Sequence, residues 1–505
     1  MLLNAEILLQ YQRCKRRAFL DTNGDLSQRD RVSDALHRVI QEKFAYQKFV
    51  LDQYNYHRPE YPKNDWEAGS KATLELMQQG VECIYKGVII TPYSEKITLL
   101  SRPHLLIKQQ GYSKFGEWLY IPANIQLGKR PKLEYQIVAA YDAEMLAISQ
   151  AVDPPTALLI LRRTDAYEVN LHKWIPLMHS SVEECISTLS SSEIPEVFIS
   201  RQKCNFCGWL TQCYAEAKAT DHLSLLPGIT PNRYSDLQTI NLVTLESLAK
   251  ANPDFIDTLP SFDGKSSQQL VLQAQSIQLN SPILLPFSSA YEIKKTLPTP
   301  TSQTVLQDLL QGKYSPPNPE ALIAPIELYF DIEAQPDLNL DYLLGVLVCD
   351  RTANTQNYYA FLAENQAQEA QVWQQFLDLV EQYPQAPIFH FCPYEVDTVK
   401  RLAKLYNTTN NRISGLLTRF IDIYEQVAHT VVLPTESYAL KTVARWLGFE
   451  WRNPEANGSQ SILWYDKWLK TGDRTLLDAI VQYNEDDCLA TRHLKDWFVS
   501  FLQNS

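Results

Sequence analysis

The chain has 505 residues, too many for one hydrophobic core, so about two to four domains are expected. Its content of 45% hydrophobic and 21% charged residues is typical of a globular protein, and no apolar run is long enough to span a membrane. The net charge of −12 excludes a uniformly basic nucleic-acid binder, so any such contact must use local patches such as Lys15-Arg16-Arg17 or residues 129–132. The first residues place charges after a short apolar patch, the wrong order for a signal peptide, so we expect a cytoplasmic protein with reduced thiols and no membrane partner.

Residues 1 to about 220 predict alternating helices and strands. Apolar residues at helical spacing predict helices in "RVSDALHRVIQEKFAYQKFV" and "LEYQIVAAYDAEMLAISQAV". Strands are predicted in "KGVIITPYSEKITLLSRPHLLIKQ", "GEWLYIPANIQL" and "TALLILRRTDAYEVNL". Short helices follow over 221–280, and 281–325 is a proline-rich linker that carries a short helix at 303–312. A second alternating unit covers 326–505, which makes the chain an α/β multidomain protein.

The stretch "CNFCGWLTQC" has the spacing of a metal site with three ligands. Cys204, Cys207 and Cys213 form C-x2-C-x5-C, whereas a closed thiolate site takes four ligands. Cys14 is the best candidate for the fourth, because it lies in a short polar turn before a helix, in "YQRCKRRAFL". The other cysteines lie in apolar patterns that predict core positions, namely Cys83, Cys185, Cys349, Cys392 and Cys488.

This arrangement resembles the iron–sulphur staple of RecB-type nucleases, found in AddB-like helicase–nucleases and CRISPR-associated adaptation nucleases. In that family the cluster joins the two ends of a restriction-endonuclease-like, PD-(D/E)XK, domain. The resemblance implies such a domain over 1–220, with a 4Fe-4S cluster in preference to Zn2+. A zinc site and incidental thiols remain the alternatives.

The same resemblance implies a nuclease site, which this sequence does not complete. His104 stands where the family has a strand-end Asp, and Asn124 and Gln126 stand in the places of the carboxylate and lysine of D/E-x-K. Asn and Gln lack the anionic oxygen that Mg2+ or Mn2+ requires. The site is therefore expected to be degenerate and its domain to act as a nucleic-acid-binding scaffold. The remaining matches are His37 on an early helix, and Gln136 and Tyr141 on the helix that follows the strand.

The segment "LLPGITPNRYSDLQTINLVTLESLAKANPDF" resembles helix–hairpin–helix modules, which present backbone N–H groups to DNA phosphates. Only Gly228 is present in the first hairpin, and the second candidate, "LPSFDGKSS", is imperfect. A small helical packing domain is the alternative.

Acidic residues recur at three places in the last 180 or so residues. In "LYFDIEAQP", Asp331 and Glu333 lie two apart on an apolar strand and therefore share a face. In "APIFHFCPYEVDTVKRL", Glu395 lies where a strand runs into a helix. In "AIVQYNEDDCLATRHLKDW", Tyr483 and Asp487 are four apart on one helix face.

This order resembles the DEDDy group of RNase-H-like 3′–5′ exonucleases, particularly the RNase-H-like domain fused to RecB-like modules in bacterial proteins. The resemblance covers about 326–500. It implies that Tyr483 orients a water and that two Mg2+ or Mn2+ ions activate this water and stabilise the leaving 3′ oxygen. The implied metal ligands are Asp331, Glu333, Glu395 and Asp487.

Glu395 departs from the family's usual Asp, and its longer side chain shifts the metal geometry. Asp397 and Asp486 are nearby alternatives. Lys441 and Arg445 are candidates for phosphate contacts, and a solvated helix face explains both equally well.

The sequence thus predicts a metal-dependent phosphodiester hydrolase, a 3′–5′ exonuclease acting on single-stranded DNA and releasing 5′-mononucleotides. The alternative is a catalytically weak nucleic-acid-binding adaptor that recruits a helicase or another repair protein. A third hypothesis is a zinc-stapled RNA-processing enzyme. The sequence does not decide whether the substrate is DNA or RNA. It also does not indicate the biological pathway or the oligomeric state.

Overall fold

The computed structural model describes residues 1–32, 34–162, 166–286 and 319–504. The chain divides into two compact units, Met1–Ala217 and Lys218–Ser505. Most of the predicted linker, 287–318, lies outside the described residues, together with the short helix predicted at 303–312. Among the helices in the described ranges, none combines the length and the apolar character needed to cross a membrane.

The first unit interleaves helices with two sheets. Its helices are Ala5–Arg13 (α1), Lys15–Asn23 (α2), Asp34–Leu51 (α3), Trp66–Gln78 (α4), Leu133–Gln150 (α5), Leu171–Ser190 (α6), Arg201–Cys204 (α7) and Leu210–Ala219 (α8). Its strands are Leu2–Asn4 (β1), Cys83–Tyr85 (β2), Ile89–Ser94 (β3), Ile97–Ser101 (β4), Leu105–Ser113 (β5), Gly116–Gln126 (β6), Ala157–Leu161 (β7) and Tyr167–Val169 (β8).

The larger sheet of this unit has the order β2-β5-β6-β7-β8, and the smaller has the order β1-β4-β3. Strands β6 and β7 run parallel, so the chain must cross over between them, and α5 makes this crossover. Helix α5 is apolar around most of its circumference because it packs against α1 and α6 as well as β6 and β7.

The second unit begins with short helices and continues into a mixed sheet. Its helices are Pro231–Thr239 (α9), Leu245–Ala249 (α10), Pro253–Ile256 (α11), Gly264–Leu279 (α12), Glu369–Gln382 (α13), Tyr394–Leu405 (α14), Asn410–Leu417 (α15), Ile423–Ala428 (α16), Leu440–Trp446 (α17), Gly458–Thr471 (α18) and Arg474–Asn504 (α19). Its strands are Ile283–Leu284 (β9), Ile326–Gln335 (β10), Leu340–Asp350 (β11), Thr355–Leu362 (β12), Ile388–His390 (β13), Phe420–Asp422 (β14) and Val431–Val432 (β15).

Strand β10 lies at the centre of a five-stranded sheet with the order β12-β11-β10-β13-β14. It is antiparallel to β11 and parallel to β13. Its side chains alternate between two cores: Leu328 and Phe330 pack with Phe376 of α13, whereas Tyr329 packs with Leu494 of α19. The period-2 pattern therefore turns Asp331 and Glu333, like Tyr329, toward α19.

The start of the predicted linker is part of the fold. Ile283 and Leu284 form β9, which pairs antiparallel with β15, and the Leu285 N–H donates to the Thr430 carbonyl at 2.9 Å. The proline on either side of this apolar stretch made it resemble a linker. Its two strand residues nevertheless find a backbone partner almost 150 residues further along the chain.

Candidate active site

Three carboxylates converge between β10 and α19. One oxygen of each of Asp331, Glu333 and Asp487 lies within 4.8 Å of the others, which makes them a group able to hold a metal ion. Glu333 is 6% exposed and Asp487 is 9% exposed. The strand supplies two ligands two residues apart, and the long helix brings the third from the end of the chain.

Asp487 is held by aromatic donors. The Trp451 indole N–H donates to Asp487 Oδ1 at 2.7 Å, and the Tyr483 hydroxyl, one helical turn away, also bonds to this carboxylate. Lys441 lies over both rings, with Nζ 5.4 Å from the centroid of Trp451 and 5.7 Å from that of Tyr483. The predicted Tyr-x3-Asp pair is therefore one hydrogen-bonded unit in the structure.

Asp331 is oriented by a neighbour that sequence reasoning missed. The Asn484 amide donates to Asp331 Oδ2 at 2.6 Å, and the Tyr358 hydroxyl donates to Asn484 Oδ1 at 2.7 Å. Gly345 on β11 makes room for this amide, because a Cβ there would lie 1.6 Å from Asn484 Oδ1. An Asn three residues before a helical Asp was the available signal.

Burial and the charge of Asp487 disfavour the ionised forms of Asp331 and Glu333. Burial, followed by the charge of Asp487, raises the pKa of Glu333 to about 8. Burial raises the pKa of Asp487 to about 7, even though Trp451 and Tyr483 hydrogen-bond to it. Burial, Asp487 and Glu333 together raise the pKa of Asp331 well above its usual range.

The other end of the same strand face provides a contrast. Glu327, fully buried, is neutralised by Lys495 Nζ at 2.8 Å and by the Arg351 guanidinium at 2.6 Å. No Lys or Arg forms an ion pair with the metal-site carboxylates within the described ranges. Converging carboxylates that no Lys or Arg of the described ranges pairs with suit a site that binds divalent cations.

Glu395 lies in the first turn of α14 and is 4% exposed. Its Oε2 atom is 3.4 Å from His390 Nδ1 and has no hydrogen-bond partner in the described residues. Its charge contributes to the raised pKa of both Asp331 and Glu333, so it faces the metal site from just outside the three-carboxylate group. A buried oxygen without a partner is free for a further ligand.

The nearby alternatives to Glu395 are less suitable. Asp397 is exposed, and Asp486 is bonded to the Arg452 guanidinium at 2.7 Å. Of the two predicted phosphate-contacting cations, Arg445 is exposed and donates to the Pro454 carbonyl at 3.1 Å. Lys441, half-buried over the aromatic donors, donates to the Ala456 carbonyl.

In the first unit, a chain of hydrogen bonds joins residues of the predicted degenerate site. His104 Nε2 lies 2.8 Å from the Gln47 amide nitrogen, and His104 Nδ1 lies 3.2 Å from Asn124 Oδ1 and 3.3 Å from the backbone nitrogen of Ile125. Burial lowers the pKa of His104 to about 4. The Asn124 amide in turn donates to Asp142 Oδ2 at 2.7 Å. The polar side-chain atoms of His104 and Asn124 are thus bonded to other residues of the protein.

Asp142, the carboxylate that accepts the hydrogen bond from Asn124, is fully buried. It also accepts a hydrogen bond from the Ser101 hydroxyl at 2.6 Å, and burial raises its pKa to about 6. Within the described part of the chain, this region contains no three-ligand group like that around Asp331.

The other residues of the predicted degenerate site lie outside this chain of hydrogen bonds. His37 is exposed on α3, and Gln126 is half-buried at the end of β6. The Gln136 amide donates to the Pro131 carbonyl at 2.9 Å, and the Tyr141 hydroxyl donates to the Leu3 carbonyl at 3.1 Å. The residue of α3 that contacts His104 is Gln47, one that the motif did not suggest.

The predicted cysteine ligands lie near one another. Burial raises the pKa of the Cys204, Cys207 and Cys213 thiols, and the neighbouring Cys14 adds to the rise for each. No three of these sulphur atoms lie within 4.8 Å of one another in the described structure. Beside them, Arg16 Nη1 donates to the Pro195 carbonyl at 2.7 Å, which joins the two ends of the unit.

Comparison with known proteins bears on the C-terminal part. Residues 328–499 match a protein-family model described as RNase_H superfamily. No curated protein gives a significant match. The predicted RNase-H-like fold of this part is therefore confirmed, and the family indicates that this domain processes nucleic acid. RNase-H-like nucleases use two divalent metal ions, which agrees with the acidic group found here.

Proposed function

We propose that this chain is a divalent-metal-dependent 3′–5′ exonuclease that acts on single-stranded DNA through its C-terminal RNase-H-like domain. The observation that carries the proposal is the group formed by Asp331, Glu333 and Asp487, together with the hydroxyl of Tyr483 bonded to Asp487. Glu395 provides a further buried oxygen at its edge.

The residues present are suited to Mg2+ or Mn2+. They offer several carboxylate oxygens and no soft ligand, and hard cations prefer oxygen. The chemistry such ions supply is activation of a water and stabilisation of the leaving 3′ oxygen. Asn484 fixes the orientation of Asp331, and Trp451 fixes that of Asp487. In this proposal, Tyr483, which interacts with Asp487, orients the attacking water.

We propose that residues 1–220 form a degenerate PD-(D/E)XK domain that binds nucleic acid without cutting it. The hydrogen bond between His104 and Asn124 supports this, because these residues stand in the places of the family's two metal-binding acids and contact each other directly. Residues 221–280, in this proposal, add a helix–hairpin–helix-like DNA contact that opens with the turn at Gly228, where φ is +85°.

We also propose that Cys14, Cys204, Cys207 and Cys213 hold a 4Fe-4S cluster. The C-x2-C-x5-C spacing supports a four-thiolate site, as does the closeness of Cys14 to the other three thiols. Iron and zinc analysis of the purified protein, with visible absorption, tests this. Cys14→Ala is expected to lose the metal, whereas Cys392→Ala, at a half-buried cysteine outside the group, is expected to keep it.

The test of the activity compares degradation of 5′-labelled single-stranded DNA and RNA in Mg2+ or Mn2+ by the wild type, Asp331→Ala and Gln126→Ala. We expect a ladder of shortened products that disappears in Asp331→Ala and persists in Gln126→Ala. Loss in Gln126→Ala alone would assign the chemistry to the first unit. Binding without degradation by any form would support an adaptor that recruits a helicase or another repair protein.

A further inference from the structure

A cavity of about 550 Å³ opens on the first unit. It lies where the chain between α3 and β2 turns into α4. Its lining combines cations with aromatic rings and one amide, contributed by Arg58, Tyr61, Lys63, Asn64, Trp66 and Arg102. The acid among the lining residues is Glu60, so three cations face one carboxylate.

The aromatic rings of the cavity are fixed by the helix beneath them. Tyr61 lies against the first turn of α4, where a Cβ on Gly69 would be 3.0 Å from its ring. Trp66 begins α4 and lies 6.3 Å from Tyr61, centroid to centroid, at an angle of 54°. Arg102 is 5.9 Å from the centroid of Trp66. The tilted rings leave aromatic faces on which a planar ligand can stack.

The cations of the cavity are not neutralised by the protein. Within the described residues, Arg58, Lys63 and Arg102 form no ion pair. Arg102 Nε is enclosed and has no hydrogen-bond partner among these residues. In a chain of net charge −12, this is an unusual concentration of uncompensated positive charge. Such a concentration of positive charge favours the binding of an anionic ligand.

The same chemistry continues beside the cavity on β2. Arg58 lies 5.9 Å from the centroid of Tyr85, Lys86 lies 5.2 Å from it on the neighbouring residue, and Tyr56 packs on the same ring at 5.1 Å. The Lys86 N–H donates to the His104 carbonyl at 3.0 Å, which places this extension at the predicted degenerate site. Cations and aromatic rings thus continue from the cavity, through Arg58, to Tyr85 and Lys86.

We propose that this cavity and its extension bind single-stranded nucleic acid, with bases stacked on Trp66, Tyr61 and Tyr85 and phosphates held by the cations. Single-strand binding sites combine a cationic groove with aromatic platforms in this way. A duplex does not fit the proposal, since its bases are already stacked. The proposal deepens the proposed function by locating the strand on the first unit.

The test measures binding of a fluorescein-labelled single-stranded oligonucleotide to the full chain in EDTA, where metal-dependent hydrolysis cannot proceed. We expect Arg58→Gln/Lys63→Gln to bind about 10-fold more weakly and to reduce the dependence of log K on log salt by about 0.7 for each phosphate that is no longer neutralised. Trp66→Ala is expected to weaken binding about 10-fold with the salt dependence retained. The matched control is Lys173→Gln, which removes an exposed lysine 5.0 Å from the Trp174 ring, outside the cavity, and is expected to bind as the wild type does.

Wild-type affinity in both cavity variants overturns the proposal, and so does equally tight binding of a duplex. A mononucleotide that competes as strongly as the oligonucleotide would also overturn it in favour of a nucleotide pocket. The outcome is separable from that of the proposed function. Cavity-dependent binding by an inactive wild-type protein refutes the exonuclease alone, and active protein with unchanged binding in the variants refutes the cavity alone.

Discussion

Asn484 donates a 2.6 Å hydrogen bond to Asp331, and the absence of a side chain at residue 345 is what makes room for its amide. Gly345→Ala is therefore expected to displace Asn484 and loosen the orientation of Asp331. Loss of a group that orients a metal ligand typically costs about 10–100-fold in activity or metal affinity. The measurement is the rate of oligonucleotide degradation as a function of Mn2+ concentration.

Gly415→Ala is the matched control, because a Cβ there meets no atom within 4 Å. It lies in α15, where alanine is favoured over glycine, and full activity is expected. Equal activity in the two variants would refute the role assigned to Asn484.

Asp487→Asn keeps the shape of the side chain but removes one of three converging charges. We expect activity to fall by at least about 100-fold, because an anionic metal ligand is lost. In EDTA, the relief of repulsion is expected to stabilise the domain by about 1 kcal/mol, or roughly 2–4 °C in melting temperature. Asp478→Asn, at an exposed position of the same helix, should change neither quantity. A melting temperature below that of the wild type would contradict the repulsion.

The stability of the metal-free protein should fall as pH rises. Glu333 and Asp487 have pKa values of about 8 and about 7 in the folded state, above those of unfolded carboxyls. The folded state therefore binds more protons than the unfolded state between about pH 4 and pH 8, and stability is lost as those protons dissociate. Thermal unfolding in EDTA at pH 6 and pH 8 measures this loss.

Divalent cations should reverse this trend, because a metal displaces protons from its ligands. We expect the stabilisation produced by Mn2+ to be larger at pH 8 than at pH 6, with proton release on binding detectable by calorimetry in buffers of different ionisation enthalpy. The same stabilisation at both pH values would mean that these carboxyls do not bind the ion.

Tyr483→Phe removes a hydroxyl bonded to Asp487 and leaves the ring under Lys441. If the hydroxyl orients the water, kcat should fall at least about 10-fold, while the Mn2+ dependence of the rate stays close to that of the wild type. Tyr359→Phe, at a half-buried tyrosine of β12, is the control. It should change neither kcat nor the Mn2+ dependence of the rate. A change confined to Mn2+ affinity would instead make Tyr483 a support for Asp487.

The sequence predicted those parts of the site that depend on spacing along one element. Two acids two apart on a strand, and Tyr483 with Asp487 one turn apart on a helix, follow from backbone periodicity alone. The match over 328–499 confirms the fold that these patterns indicated.

Contacts between distant segments were beyond such reasoning. The hydrogen bond from Trp451 to Asp487 joins residues 36 apart, and that from Asn484 to Asp331 joins residues 153 apart. In the first unit, Gln47 reaches His104 across 57 residues, and no local pattern distinguishes it from its neighbours on α3. These partners depend on how elements pack, which periodicity does not specify.

The pairing of β9 with β15 limits where the chain can be truncated without disturbing the C-terminal fold. A fragment that begins at 326, where the second alternating unit starts, would leave Val431 and Val432 without their backbone partners. It would also remove Gln273, which accepts from the Tyr438 hydroxyl at 3.0 Å and donates to the Leu433 carbonyl. The smallest fragment expected to fold as the RNase-H-like domain therefore begins no later than α12, and shorter truncations should aggregate through an exposed strand edge.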